Sequence, residues 1–244
     1  MRGQWTQQRE LALENRPAAD DERALVNAAE PHAAASGQNR RRPGLHRHYI
    51  MIEAGIGRLL VASLHQAIAD LLPTRLEFYE GWLSPAGLRE GRIGLAPLGA
   101  VLSFLRLEGE AYRFVAARAG EYTAEWTVLD LSRYRRALIE AAPPVIRVHL
   151  VMGVARSMVR NTYRGSRAIV RWRKGRGAVD IRGSIFCEVR DRVEQPLCEF
   201  YAAAIRRLMH LFNLDVEVRT ERCRGTGEGQ CVMVVSLKPA RVPG

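Results

Sequence analysis

The spacing of apolar residues changes near Arg164, and that change limits the fold more than any other feature. From Tyr49 to Tyr163 they recur every three or four positions, as in Ile52, Ile56, Leu59, Leu60, Leu64, Ile68 and Leu71. From Ala168 to Ile181, and again from Asp215 to Val235, they alternate. The first period buries one stripe of a helix and the second one face of a strand. The chain is therefore expected to be mixed α/β (α+β), with an N-terminal helical bundle packed on a C-terminal antiparallel sheet.

Punctuation divides the helical half. Pro73 stops a long helix over 49–72, with Gly55 and Gly57 read as points of close packing inside it. A short aromatic helix over 76–83 follows, then helices over 97–107, 110–129 and 132–141, and a last one launched by Pro143-Pro144 and running to Tyr163. His65 and His149 read as hydrogen-bonded helix residues. The sheet should comprise a hairpin turning at Lys174-Gly175-Arg176-Gly177 and a second pair, Asp215–Cys223 and Cys231–Val235. Between the pairs, Pro196 opens a helix whose apolar residues Tyr201, Ile205, Leu208 and Phe212 should pack on the sheet.

Three of the four cysteines belong to this closing stretch. Cys198 falls in the first turn of the helix, where orphan N–H groups and the macrodipole favour a thiolate. Cys223 and Cys231 close one loop and should be neighbours. On strict alternation Glu217, Glu221 and Cys223 share one side of a strand. Three sulfurs and a carboxylate suit tetrahedral zinc. A disulfide across the hairpin and plain half-buried thiols are the open alternatives. Cys187, outside the set, reads as a separate buried thiol.

Gly183-Ser184-Ile185-Phe186, the helix opening at Pro196-Leu197-Cys198, and Glu-x-Cys-x3-Gly-x3-Cys from Glu221 to Cys231 together resemble the 4-vinyl reductase-type domain. That family shares a superfamily with haem-based nitric oxide sensors and small subunits of the Golgi transport particle. Members that sense aromatic effectors bind zinc with three cysteines and a glutamate. The resemblance therefore implies a site at Cys198, Glu221, Cys223 and Cys231, with Glu217 as the competing acid. It also implies a hydrophobic cavity between helices and sheet; Tyr79, Trp82, Phe104 and Trp126 are its candidate wall.

Composition narrows the remaining choices. Residues 1–45, polar and proline-punctuated, are expected to be a disordered leader, and 46–244 a single ligand-binding domain of that family, large enough to fold without staples. No apolar run is long enough to span a bilayer and no signal sequence opens the chain, so a cytoplasmic protein is expected. The net charge of +11 is almost wholly arginine. Nine basic residues between Arg156 and Arg182 face one acid, Asp180. A solvated face accounts for that excess, and an acidic partner at the hairpin Arg164–Arg176 is the functional counterpart. Stacking aromatics are too few among the basic residues to favour nucleic acid.

No phosphate loop, nucleophile elbow or His-Glu-x-x-His occurs, and Gly225-x-Gly227-x-Gly229 lies between strands where a nucleotide cradle would open a helix, so no nucleotide cofactor is expected. The expected function is a sensor or regulatory domain for a hydrophobic, aromatic or tetrapyrrole-like small molecule, with structural zinc. An enzyme or accessory protein of vinyl reduction in porphyrin metabolism is the rival, and a homodimeric adaptor the third reading.

Overall fold

The computed structural model describes residues 55–83, 87, 93–173, 175–189 and 191–238, all within the compact unit Pro43–Gly244. The leader and the start of the first predicted helix lie outside the described residues. Six helices come first: α1 (Arg58–Leu71), α2 (Leu76–Glu80), α3 (Leu95–Leu107), α4 (Glu110–Leu129), α5 (Arg133–Ala141) and α6 (Pro144–Thr162). Strands β1 (Arg167–Arg173) and β2 (Arg176–Arg182) follow, then α7 (Glu199–Leu211), β3 (Val216–Arg222) and β4 (Cys231–Leu237). The α+β reading holds: the four strands form one antiparallel sheet in the order β1-β2-β4-β3. Among the described residues no helix is long and apolar enough to cross a membrane.

The sheet buries one face. Val179 and Ile181 of β2 and Cys231, Met233 and Val235 of β4 are fully enclosed, and their register across the strands sets them in rows. α7 seals this face near β3, while α6 packs near β1. Phe200, Tyr201, Ala204, Ile205 and Leu208 of α7 expose nothing. Each large apolar side chain so buried contributes about 1.5–3 kcal/mol as an upper estimate. α7 also lies against α4, and Gly120 makes that approach: a Cβ there would fall 2.1 Å from the Phe200 carbonyl oxygen. Asn213, at φ 55°, ends α7, and the Leu214 N–H returns to the Met209 carbonyl at 3.0 Å, a left-handed close that satisfies an orphan acceptor.

One boundary differs from the sequence expectation. Gly55 and Gly57 precede α1 instead of lying inside it, because this segment pairs with the end of α6. Ile56 bridges to Tyr163, and the Gly57 N–H donates to the Thr162 carbonyl at 3.0 Å. Close packing is real at Gly57, where a Cβ would meet the Asn161 carbonyl oxygen at 1.8 Å. The periodicity of Ile52 and Ile56 mimics the helix that starts only at Arg58.

Candidate metal centre and aromatic corner

Four loops and strand ends deliver four sulfurs to one point. Cys187 closes the 3-10 turn Ile185–Cys187 that follows β2, and Cys198 is the N-cap of α7. Cys223 follows β3, and Cys231 begins β4. All four side chains are buried, none is in a disulfide, and their sulfur atoms lie within 4.8 Å of one another. Cys187 Sγ stands 3.1 Å from Cys198 Sγ, 3.5 Å from Cys223 Sγ and 3.6 Å from Cys231 Sγ, and Cys198 Sγ is 3.5 Å from Cys223 Sγ. A disulfide requires about 2.05 Å. Sulfurs at about 2.3 Å around one tetrahedral ion sit about 3.8 Å apart. The donor set thus fits a single thiophilic ion.

The surroundings suit thiolates. The Leu197 N–H donates to Cys223 Sγ at 3.3 Å and the Arg224 N–H to Cys231 Sγ at 3.4 Å. Hydrogen bonds with the Cys187 and Cys198 thiols, helped by Leu197, hold Cys223 below the ordinary thiol range. Cys231 is lowered first by Cys187. Cys198 is pushed up, first by its hydrogen bond with Cys187 and further by burial. Such a split assigns thiolate to the hairpin pair and thiol to the helix pair until a cation replaces the protons.

The fourth position of the cluster differs from the sequence expectation. Glu221 is exposed, and Cys187 occupies the fourth place. The cause is a β-bulge: Thr220 pairs with Met233 and Arg222 with Val232, leaving Glu221 as the extra residue. Strict alternation would put Cys223 on the side of Glu217, facing solvent. The bulge shifts the phase, so Val218 and Cys223 are buried while Glu217 and Glu221 remain exposed. The signal that pointed to Cys187 was the count: four cysteines already complete a tetrahedral shell.

Of the four aromatic residues expected to line a cavity, three gather at the α2–α3 corner. Tyr79 is buried, and its hydroxyl donates to Glu108 Oε1 at 3.4 Å. Phe104 touches Trp82 at a centroid distance of 5.9 Å and Phe78, missed by sequence reasoning, at 5.2 Å. Phe78, Trp82 and Phe104 expose 49%, 41% and 37% of their surface, so this corner opens to solvent. Burial, then Glu108, pushes the Tyr79 phenol up to about 12. Trp126 sits instead on α4, stacked on Tyr122 at 5.4 Å. Two surface depressions of about 330 and 240 Å³ are lined by charged residues of β3, β4 and α7, and include none of these four.

The histidines are accounted for locally: His65 Nε2 meets Glu80 Oε1 at 3.0 Å and His149 Nδ1 the Val145 carbonyl at 2.8 Å. On the hairpin, Arg167, Arg171, Arg173, Arg176 and Arg182 are exposed, and Arg182 pairs with Asp180 at 3.4 Å. Lys174 lies outside the described residues. The register sets Arg167 opposite Arg182 and Arg173 opposite Arg176, like charges that weaken the pairing.

Residues 178–237, from β2 to the end of β4 and including all four cysteines, match the profile of the 4-vinyl reductase-type domain. Among curated proteins none matches the sequence. Solved structures with a related arrangement include the phenol-responsive sensory domain of the transcription activator PoxR with phenol, 14% identical, covering 59% of this chain and 74% of that one at a TM-score of 0.43. An H-NOX protein from S. oneidensis in the Fe(II)NO state is 11% identical and covers 75% and 100%, at 0.48. An oxygen-binding H-NOX domain related to soluble guanylate cyclases is also 11% identical and covers 75% and 96%, at 0.38.

Proposed function

Starting from the 4-vinyl reductase-type domain that this chain carries over residues 178–237, we propose that the protein is a sensory or regulatory module for a hydrophobic small molecule, its C-terminal hairpin pinned by a structural metal. The ion is zinc, held by Cys187, Cys198, Cys223 and Cys231. The observation that carries this reading is the convergence of four buried sulfurs at single-ion spacing inside the matched segment. A shell closed by four protein ligands leaves no coordination position for substrate, so the metal's role is to fix the fold. It joins the end of β2, the start of α7 and both ends of the β3–β4 loop.

The aromatic corner is the proposed reception surface. Phe78, Trp82 and Phe104 form edge and tilted ring contacts with partly exposed faces, an arrangement that accepts a planar apolar guest. Native mass spectrometry of the purified protein tests both halves. The reading expects one zinc per chain, and a co-purified or added aromatic compound that quenches the emission of Trp82. A bare polypeptide mass after purification in zinc-containing buffer contradicts the metal half. The rival enzyme predicts turnover of a vinyl-bearing tetrapyrrole with a supplied reductant; stoichiometric binding without product supports the sensor.

The arginine hairpin favours an additional acidic protein partner. The two like-charged cross-strand pairs at its ends have no reason to persist on stability grounds, and carboxylates arriving between them would relieve the repulsion.

A further inference from the structure

A divalent ion held by four thiolates carries a net charge of about −2, and burying such a charge is unfavourable unless cations or dipoles face it. Two dipoles are in place, the N–H groups of Leu197 and Arg224. They serve Cys223 and Cys231. Cys187 and Cys198, on the opposite side of the group, need another source.

The α3–α4 turn supplies one. Arg106, near the end of α3, directs Nη2 to the Phe186 carbonyl at 3.1 Å, and Phe186 immediately precedes Cys187. Tyr112, in the first turns of α4, donates its hydroxyl to the Leu197 carbonyl at 3.1 Å, and Leu197 immediately precedes Cys198. Two side chains six positions apart thus each hold the peptide that leads into one cysteine. The Arg106 guanidinium is partly buried, and its Nε is enclosed without an acceptor. Its remaining contact, Nη1 to Ser103 Oγ, is long at 3.5 Å. Among the described residues no carboxylate pairs with it, whereas Arg75, Arg118 and Arg207 on neighbouring surfaces all have acidic partners. The Tyr112 phenol, raised chiefly by burial, responds to Arg106 on one side and to Cys187 and Cys198 on the other, which puts cation and sulfurs in one electrostatic neighbourhood.

We infer that Arg106 is the counter-charge and tether of the sulfur centre, positioning the Cys187 turn through the Phe186 carbonyl and offsetting the negative charge of the metal-bound thiolates. Arg106 is a positioning residue, not a ligand. The inference rests on the metal reading above and predicts a property that reading alone does not require: metal retention depends on a charge carried by α3, outside the segment that matches the family.

The test uses full-length protein loaded with zinc and measures transfer of the metal to a metallochromic chelator, alongside the thermal midpoint of the metal-free form. Arg106→Gln keeps a donor but no charge, and Arg106→Lys keeps the charge. The expected result is transfer about 10- to 100-fold faster in Arg106→Gln, within a few-fold of wild type in Arg106→Lys, and an unchanged metal-free midpoint in both. Wild-type transfer rates in Arg106→Gln overturn the inference while leaving the metal reading intact. So does an equal fall of the metal-free and metal-loaded midpoints, which marks a purely structural arginine. A wild-type protein that takes up no zinc overturns both.

Discussion

The sulfur centre and the aromatic corner differ in how completely each satisfies itself. At the centre every sulfur is enclosed, two accept backbone N–H groups, and the chain arrives from four directions. At the corner, Phe78, Trp82 and Phe104 touch one another yet leave roughly 40% of their surface in water. The first arrangement resists change because moving one element disturbs the other three. The second has surface left to give to a guest. A module that must hold its fold while exchanging a small molecule separates these tasks, and here the separation follows the chain: fixation in the last quarter, reception in the helical part.

The largest effect expected of that contrast comes from the centre. Cys198→Ser should lose the metal and with it about 3–4 kcal/mol of stability at working zinc concentrations, roughly 10 °C in calorimetry for a chain of this size. An equal loss from a corner substitution would erase the distinction. Phe104→Ala should lower stability by only about 1–2 kcal/mol, since part of the ring is already in water, and should leave zinc content unchanged while reducing the quenching of Trp82 by an added aromatic compound. A variant that bound the compound as wild type does would remove Phe104 from the reception surface.

A smaller effect separates the corner's buried member from its exposed ones. The Tyr79 phenol is raised from 10.0 to about 12, so the fold favours its neutral form. That contribution is fully present below pH 10 and disappears as pH rises through about 12. Urea midpoints of wild type should therefore fall across this window more steeply than those of Tyr79→Phe, and parallel curves would show that the phenol is not held neutral by the fold. The smallest effect is assigned to Glu221. Glu221→Gln should leave zinc content unaltered and stability within about 0.5 kcal/mol, and metal loss in that variant would return a carboxylate to the site.

What was legible in the sequence follows the same division. The period change near Arg164 carried the α+β architecture, because side-chain periodicity reports directly which face is buried. The meeting of Cys198, Cys223 and Cys231 was legible from the loop that joins two of them and the helix start that holds the third. Glu221 and Cys187 were not, for one reason: alternation assumes an unbroken ladder, and a single bulged residue reverses every assignment beyond it. Gly55 and Gly57 misled in a related way, since a strap packed against α6 can carry apolar residues at helical spacing by coincidence. Trp126 was grouped with the other rings by residue type alone, and only the packing of α4 shows that its partner is Tyr122.

X-ray absorption at the zinc edge tests the central claim most directly. The account predicts a first shell of four sulfurs at about 2.3 Å and no lighter neighbour. A shell of three sulfurs and one oxygen, or protein that retains no zinc to measure, would contradict it.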